Sequence, residues 1–210
     1  MKVLITDDHA VLRRGLKQIL EDGFGKNIQF GEAANAGEAI AAVTRENWDL
    51  VVLDITMPGR SGLDALKEIK AVKPTTRVLV LSVHSEDQFA VRVLKAGASG
   101  FLNKDSAPEE LVKAVRKVLA GGRYVSASLA EKLAMHLDHP SDQLPHQQLS
   151  DREFQVLRMI GSGKTVSEIA AELSLSVKTV STYRARILEK MAMHTNAELT
   201  RYAFENKLVE

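Results

Sequence analysis

Short apolar runs in the first half of the chain each lead to a side chain that can bind a cation or an oxyanion. In chain order, the residues reached by these runs are Asp7 and Asp8, Asp54, Ser82 and Lys104. Short apolar runs bounded by polar residues are typical of buried β-strands. Because the carboxyl ends of the strands in a doubly wound sheet line one crevice, we expect these side chains to converge there.

Strand and helix patterns alternate through residues 1–122, which predicts an α/β fold with a doubly wound parallel sheet. The predicted strands cover 3–6, 28–32, 50–54, 78–82 and 99–102. The predicted helices cover 11–20 with an end near Gly23, 36–45, the segment after Ser61, 89–96, and the segment from Ser106 to Gly121. Ser61 with Asp64, and Ser106 with Glu109, have the spacing of capping boxes at helix starts.

A change of pattern after residue 122 predicts a second domain. Residues 123–148 are predicted to form a linker, with a helix at 128–137 and a polar segment at 138–146 that contains two prolines. Beyond it, Ser150, Thr165 and Thr195 each precede a Glu by three residues, and Ser176 can cap a helix without such a Glu. We therefore expect a four-helix all-α domain over residues 149–210.

Composition restricts the class of protein. The absence of cysteine excludes disulfides and zinc–thiolate sites. The net charge is only +1, so any signal for nucleic-acid binding must be local. The N-terminus lacks a signal-peptide pattern, and no apolar run approaches the roughly 20 residues of a membrane span. These features predict a cytoplasmic protein that does not act at a membrane.

Carboxylates at the ends of neighbouring strands repel one another unless a cation offsets their charge. Mg²⁺ prefers oxygen ligands, which makes it the expected ion. The predicted ligands are the carboxylates of Asp7, Asp8 and Asp54 and the backbone oxygen of Thr56. An Asp carboxylate can accept a phosphoryl group, and the Lys104 ammonium and Ser82 hydroxyl can then bind its oxygens.

Residues 1–122 resemble a response-regulator receiver domain. The resemblance assigns the phosphoacceptor to Asp54, the acidic pair to Asp7 and Asp8, the switch hydroxyl to Ser82, the lysine to Lys104 and the aromatic switch position to Phe101. It also implies a five-stranded sheet of order 2-1-3-4-5, Mg²⁺ as cofactor, and a sensor histidine kinase as phosphoryl donor. In this scheme Asp8 and Asp54 bind the metal directly, whereas Asp7 acts through water.

The resemblance also suggests how the switch works. A phosphoryl group on Asp54 would draw the Ser82 hydroxyl toward it, and Phe101 would rotate into the space that opens beside the fourth strand. Burial of an aromatic ring is worth about 2–3 kcal/mol, the scale of a population shift. His84 and Thr56 would flank the path of the attacking water, so we expect them to tune the lifetime of the phosphorylated state.

Residues 149–208 resemble a LuxR-type helix-turn-helix domain. The resemblance rests on Leu149-Ser-Asp-Arg-Glu153, Gly163-Lys-Thr-Val-Ser-Glu-Ile-Ala170 and Lys178-Thr-Val180. With the receiver, the whole chain is similar to the NarL/FixJ family of transcriptional regulators. This similarity implies that the phosphorylated protein forms a homodimer through its last helix and binds promoter DNA as that dimer. RNA polymerase is implied as a further partner.

The helix predicted to follow Ser176 has the pattern of a recognition helix. Its predicted core face collects Val177, Val180, Ile187, Leu188 and Met191. The predicted DNA-binding residues are Lys178, Thr179, Ser181, Thr182, Tyr183, Arg184, Arg186 and Lys190. Hydroxyl, cationic and small side chains suit a helix that lies in a major groove, where Arg184 is expected to reach a phosphate from the edge of the core.

Two other functions compete with this interpretation. A Mg²⁺-dependent phosphohydrolase would need its nucleophile on the first strand in an Asp-x-Asp arrangement and a substrate cap, whereas the first strand leads to adjacent Asp7 and Asp8. A DNA-binding or scaffold protein that ignores phosphorylation is the second alternative. Binding that is unaffected by Asp54→Asn would favour it.

Overall fold

The computed structural model describes residues 1–57, 59–83, 86–131 and 144–209, and only the backbone of residues 86–88. The chain divides into two compact units, Met1–Met135 and His136–Glu210. Within the described ranges, no helix has the length and apolar character needed to cross a membrane. Sequence predictions for His84, and for parts of the segments 128–137 and 138–146, lie outside the described residues.

The first unit is a five-stranded parallel sheet with the order β2-β1-β3-β4-β5, as the resemblance implied. Its elements are β1 (Lys2–Thr6), α1 (Ala10–Phe24), β2 (Gln29–Ala33), α2 (Ala36–Arg45), β3 (Leu50–Asp54), α3 (Gly62–Val72), β4 (Val78–Ser82), α4 (Glu86–Lys95), β5 (Gly100–Asn103) and α5 (Ala107–Leu119). Every residue of β3 and β4 is buried, because helices cover both faces of the sheet. One apolar cluster lies under α2, α3 and α4, and the other under α1 and α5.

The first helix ends close to Gly23, as predicted, but Gly23 is not its last residue. It continues to Phe24 and ends at Gly25, which has a φ of 84° and donates its N–H to Glu21 O at 2.8 Å. Gly23 lies inside the helix because α5 packs closely there: a Cβ at Gly23 would be 2.4 Å from a methyl carbon of Val112. The glycine therefore marks a close helix contact rather than a helix end.

The predicted capping box at Ser106 is also wrong. Ser106 adopts a helical backbone conformation and its side chain does not cap α5. Its hydroxyl instead donates to Asn103 O at 3.2 Å, because the turn after β5 brings that carbonyl close. By contrast, Ser61 caps α3 as expected, and its hydroxyl donates to the Asp64 carboxylate at 2.9 Å.

The segment predicted to start the linker packs on the first unit. The Phe101 N–H donates to Tyr124 O at 2.9 Å, and the Tyr124 N–H donates to Ser99 O at 3.0 Å, so the chain pairs with the edge of β5. Residues 127–131 are helical, and Leu129 is buried in the cluster that contains Phe101. The first unit therefore extends beyond residue 122.

The second unit contains the four predicted helices, α6 (Asp151–Gly161), α7 (Val166–Glu172), α8 (Val177–Lys190) and α9 (Asn196–Glu205). Ser150, Thr165 and Thr195 form complete capping boxes, and Ser176 caps α8 by accepting the Thr179 N–H. These caps explain why the helix starts could be read from sequence: each is made by residues three positions apart.

The linker is also shorter at its C-terminal end than the predicted range 123–148. Pro145–Gln148 forms a 3₁₀ turn that packs on the second unit. His146 is buried, its Nδ1 lies 2.8 Å from the Tyr202 hydroxyl on α9, and its ring lies against Phe154 of α6. The sequence analysis did not predict that His146 is buried, because the segment is polar and the partners of His146 are distant in the sequence.

Candidate phosphorylation site and nucleic-acid interface

Two carboxylates and one ammonium meet at the carboxyl ends of the strands. Lys104 Nζ lies 2.7 Å from Asp7 Oδ2 and 2.8 Å from Asp54 Oδ2. Asp7 follows β1, Asp54 ends β3 and Lys104 follows β5, so the three residues come from different strands. The long lysine side chain reaches past β4, which separates β3 from β5.

The loop after β3 fixes the orientation of Asp54. The Thr56 N–H donates to Asp54 Oδ1 at 2.9 Å. Gly62, the first residue of α3, packs directly on this backbone, because a Cβ there would lie 2.1 Å from Asp54 O. Gly59 has a φ of 74°, a left-handed conformation that glycine adopts without strain. Any side chain at Gly62 would displace the Asp54 loop.

Burial dominates the electrostatics of Asp54. It raises the pKa of Asp54 to about 6, although the hydrogen bond from Lys104 acts in the opposite direction. Burial alone would lower the pKa of Lys104, but its contacts with Asp54 and Asp7 outweigh that effect and raise it. Lys104 therefore remains an ammonium, while the charge on Asp54 is held against a desolvation penalty.

The donor set of this crevice fits a divalent cation that prefers oxygen. Asp7 and Asp54 are buried, and within the described residues the Lys104 ammonium is the partner of both Asp7 Oδ2 and Asp54 Oδ2. Asp7 Oδ2 and Asp54 Oδ2 each face Lys104 Nζ as an ion pair, so two carboxylates share one positive charge, and Asp8 Oδ1 lies against the His9 ring instead. Oxygens of clustered carboxylates whose charge is only partly balanced are ligands that Mg²⁺ prefers.

Two further residues at the acidic pair were missed by the sequence analysis. The His9 N–H donates to Asp7 Oδ1 at 2.8 Å, and His9 Nδ1 lies 3.0 Å from Asp8 Oδ1. The guanidinium of Arg13 donates to Asp7 O at 2.7 Å. His9 could have been suspected because it follows the pair directly, and its ring could supply a metal ligand with them. No sequence pattern pointed to Arg13, because its contact with Asp7 depends on the direction in which α1 runs.

Ser82 ends β4, and Phe101 lies on the neighbouring strand β5. Ser82 is fully buried, and its carbonyl accepts the Lys104 N–H at 2.8 Å, which ties the ends of β4 and β5 together. Phe101 has no exposed surface and packs in the cluster under α3 and α4. The structure thus shows Phe101 in the inward orientation that the sequence analysis assigned to the switched state.

Helices α7 and α8 form a helix-turn-helix. Ser174 at the turn has a φ of 54°, and the Leu175 N–H donates to Ala170 O at 2.8 Å. This Schellman motif ends α7 and sends the chain directly into α8. Ile169 and Val180 are buried, so the two helices share one core.

The exposed face of α8 follows the predicted pattern with one exception. Val180, Ile187 and Met191 are buried, but Val177 is 51% exposed, so its predicted place on the core face is wrong. Val177 is the first residue of the helix, where the side chain projects beyond the body of the unit. The exposed residues of the predicted DNA-binding set are Lys178, Ser181, Thr182, Arg186 and Lys190, and the partly buried ones are Thr179, Tyr183 and Arg184.

Two cations of α8 already bind partners within the protein. Lys190 Nζ lies 2.6 Å from Glu153 Oε2, a buried carboxylate that also accepts the Ser150 N–H in the capping box of α6. Burial raises the pKa of Glu153, but the Lys190 and Ser150 hydrogen bonds outweigh it and the net change is downward. Arg184 donates to Asn196 on α9. These contacts orient α8 against α6 and α9.

Comparison with known families agrees with both halves of the chain. Residues 3–116 match the model of the response regulator receiver domain, and residues 147–203 match that of the bacterial regulatory proteins of the luxR family. The response regulator UvrY of Escherichia coli K12 is 37% identical over 209 residues, which cover 99% of this chain and 95% of UvrY. The response regulator GacA of Pseudomonas aeruginosa is 38% identical over 212 residues, which cover 100% of this chain and 98% of GacA.

Solved structures give the same result. The chain is similar to RcsB from Salmonella enterica serovar Typhimurium bound to the promoter rprA in the presence of the phosphomimetic BeF₃⁻, with a TM-score of 0.68, 27% identity, and coverage of 96% of this chain and 98% of RcsB. A LuxR-family two-component response regulator from Aurantimonas sp. covers 64% of this chain, with a TM-score of 0.59 and 34% identity. The chain therefore belongs to the NarL/FixJ family of two-component response regulators, which combine a receiver domain with a LuxR-type helix-turn-helix domain and regulate transcription through phosphorylation.

Proposed function

We propose that Asp54 is the phosphoacceptor and that its phosphorylation controls DNA binding by α8. One observation carries this assignment: at the ends of three strands, the buried carboxylates of Asp7 and Asp54 share a single ammonium, which lies 2.7 Å from Asp7 Oδ2 and 2.8 Å from Asp54 Oδ2. Asp54 is the residue of this group that ends a central strand, with its loop shaped by glycines. In this proposal Lys104 would bind an incoming phosphoryl oxygen, and the Thr56 N–H would bind another.

Receiver domains generally bind Mg²⁺ at an acidic pocket, and we propose Asp7, Asp8, Asp54 and the Thr56 backbone oxygen as its ligands here. A bound Mg²⁺ would neutralise the charge that develops on the phosphoryl group. Asp8 and Asp54 would bind it directly, and Asp7 through water. His9, beside the pair, orients Asp7 through its backbone N–H.

The proposed signal runs from the site to the sheet edge. The Ser82 hydroxyl would move toward the phosphoryl group and bind its oxygens. The movement would favour the inward orientation of Phe101 in the core under α4, which shifts the population of receiver conformations. We assign base and phosphate contacts to the exposed side of α8, with Lys178, Thr179, Ser181, Thr182, Tyr183 and Arg186 as the contact residues. Arg184 and Lys190, which the sequence analysis also named, would support the helix through Asn196 and Glu153.

The partners follow from this scheme. A sensor histidine kinase would supply the phosphoryl group, double-stranded promoter DNA would be the target, and a homodimer would bind two half-sites, with RNA polymerase as a further partner. Apart from its own phosphorylation and dephosphorylation, the protein would catalyse no reaction. Because its target is the chromosome, we propose a cytoplasmic location. The linker between the two domains would be shorter than residues 123–148 at both ends, since Tyr124 and His146 pack on their units.

The test measures DNA binding and oligomeric state with and without beryllofluoride plus Mg²⁺. The samples are the wild type, Asp54→Asn, and Asp22→Asn as a matched control, because Asp22 is an exposed carboxylate on α1. We expect the phosphomimetic to promote dimerisation and tighten binding for the wild type and Asp22→Asn but not for Asp54→Asn. Equal binding in all samples would instead favour the phosphorylation-independent DNA-binding protein.

A further inference from the structure

The hydroxyl of Thr182, at the centre of the exposed face of α8, already has a partner. Thr182 Oγ1 donates to Lys178 O at 2.9 Å, within the same helix. A hydroxyl has a single proton, so this bond removes its capacity to donate to a base acceptor in the groove. The hydroxyl oxygen can still accept a hydrogen bond, and the side chain also carries a methyl group. Thr182 thus offers DNA an acceptor and an apolar group but no free hydroxyl proton, although its residue type suggests a hydrogen-bond donor.

Val177 adds a second apolar group at the start of the same helix. It is 51% exposed, whereas Val180 on the next turn is fully buried. In a helix-turn-helix, the N-terminal residues of the recognition helix reach the base edges. The sequence of α8, VKTVSTYRARILEK, has no carboxylate before Glu189. A surface that is cationic and apolar, without negative charge, fits the major groove of DNA.

We propose that α8 reads thymine through methyl contacts made by Thr182 and Val177. Thymine is the only base whose major-groove edge carries a methyl group, so an apolar contact there distinguishes it from cytosine and the purines. Lys178 lies between the two residues in sequence and is exposed, so it supplies phosphate or guanine contacts beside them. This inference rests on the proposed function, because it requires α8 to bind DNA.

The experiment separates the two groups of Thr182 with isosteric variants. A duplex is first selected from a random pool by the full-length protein with beryllofluoride and Mg²⁺, and each thymine is then replaced by deoxyuridine, which lacks only the methyl group. At a contacted position, we expect uridine to weaken wild-type binding by about fourfold, the effect of one buried methyl group. Thr182→Val keeps the methyl and should bind as tightly as the wild type, with the same sensitivity to uridine.

Thr182→Ser keeps the hydroxyl but loses the methyl, so it should bind about fourfold more weakly and no longer distinguish thymine from uridine at one position. Val177→Ala should lose that distinction at a different position. Lys178→Ala is the control, because loss of a charge should weaken binding to thymine and uridine duplexes equally.

Three results would overturn the inference. Equal loss of affinity in Thr182→Val and Thr182→Ser would assign the contact to the hydroxyl. Wild-type binding that is unchanged by uridine at every position would exclude methyl readout while leaving the proposed function intact. Failure of the wild type to select any duplex would refute the proposed function itself, and this inference with it.

Discussion

Helices of the two units end with the same hydrogen-bonded turn but with different residues in its left-handed position. In the receiver unit the turns after α4 and α5 place Gly97 and Gly121 there, with φ values of 96° and 87°. In the second unit the turn after α6 also places a glycine there, Gly163, with a φ of 82°. The turns after α7, α8 and α9 instead place Ser174, Ala192 and Lys207 there, with φ values of 54°, 53° and 53°. A side chain in this conformation costs about 1–2 kcal/mol, and glycine avoids that cost.

The receiver unit has its unfavourable energy elsewhere, in the phosphorylation site. Its carboxylates are buried around a single ammonium, and burial raises the pKa of Asp54 to about 6. The two units therefore contain different destabilising features. In the second unit, non-glycine residues adopt left-handed conformations between well-capped helices. In the receiver unit, the corresponding turns have glycine, and the destabilising feature is the incompletely balanced charge of the buried carboxylates. Substitutions in each unit can test this difference.

Removal of Lys104 should have the largest effect. Lys104→Met leaves Asp7 and Asp54 without their shared partner, and breaking a buried ion pair costs about 3–5 kcal/mol. Denaturant unfolding followed by Trp48, the single tryptophan, reports on the receiver unit of the full-length protein. Mg²⁺ should recover part of the loss. Lys17→Met, which breaks the more exposed pair with Glu32, should lower stability by less than about 1 kcal/mol.

Asp54→Asn should stabilise the receiver unit at neutral pH. Because burial raises the pKa of Asp54 from 3.8 to about 6, the folded protein binds this proton more tightly than the unfolded chain. The stability of the wild type should therefore fall as pH rises between about 4 and 6, and a neutral amide removes that loss. We expect a gain of about 3 kcal/mol at pH 7 and little gain at pH 4. A variant that is less stable than the wild type at pH 7 would contradict the charge imbalance.

Loss of one helix cap should have a moderate effect in the second unit. Thr165 accepts the Glu168 N–H at 3.3 Å, and the Glu168 carboxylate accepts the Thr165 N–H at 2.7 Å. Thr165→Ala should destabilise α7 by about 1 kcal/mol, because the start of the helix loses its side-chain acceptor. Amide hydrogen exchange at Glu168 and Ile169 measures this directly, and Thr165→Ser should preserve the wild-type protection.

Relief of strain should give the smallest effect. Ala192→Gly removes the Cβ from the left-handed position after α8, and we expect stabilisation of about 0.5–1 kcal/mol, after allowance for the greater freedom of glycine in the unfolded chain. Slower hydrogen exchange in α8 would confirm it. Ala185→Gly, in the exposed middle of the same helix, is the control and should destabilise by about 1 kcal/mol.

The sequence predicted most of the fold, because the relevant signals are local. The bounds predicted for β3, β4 and α2 agree with the structure, since each is a continuous pattern between polar or capping residues. The capping boxes of α6, α7 and α9 depend on residues three positions apart and were equally visible. Convergence of Asp7, Asp54 and Lys104 followed from a general rule about the edges of parallel sheets.

What the sequence did not reveal depends on distant partners. Lys190 has the appearance of a DNA-binding cation, but it binds Glu153, which is 37 residues away. Val177 has the spacing of a core residue, but its position at the start of α8 leaves it exposed. His146 lies in a polar segment, yet a hydrogen bond to Tyr202 and contact with Phe154 bury it. In each case the tertiary fold, rather than local preference, determines the environment.

The pairing of Tyr124 with the edge of β5 affects how this protein behaves when cut short. Two backbone hydrogen bonds, from Phe101 N–H to Tyr124 O and from Tyr124 N–H to Ser99 O, cover part of the last strand of the sheet. A receiver fragment that ends at residue 122 would leave these groups open, and uncovered strand edges promote self-association. A fragment that retains residues 123–131 would keep that edge covered and stay monomeric at higher concentration.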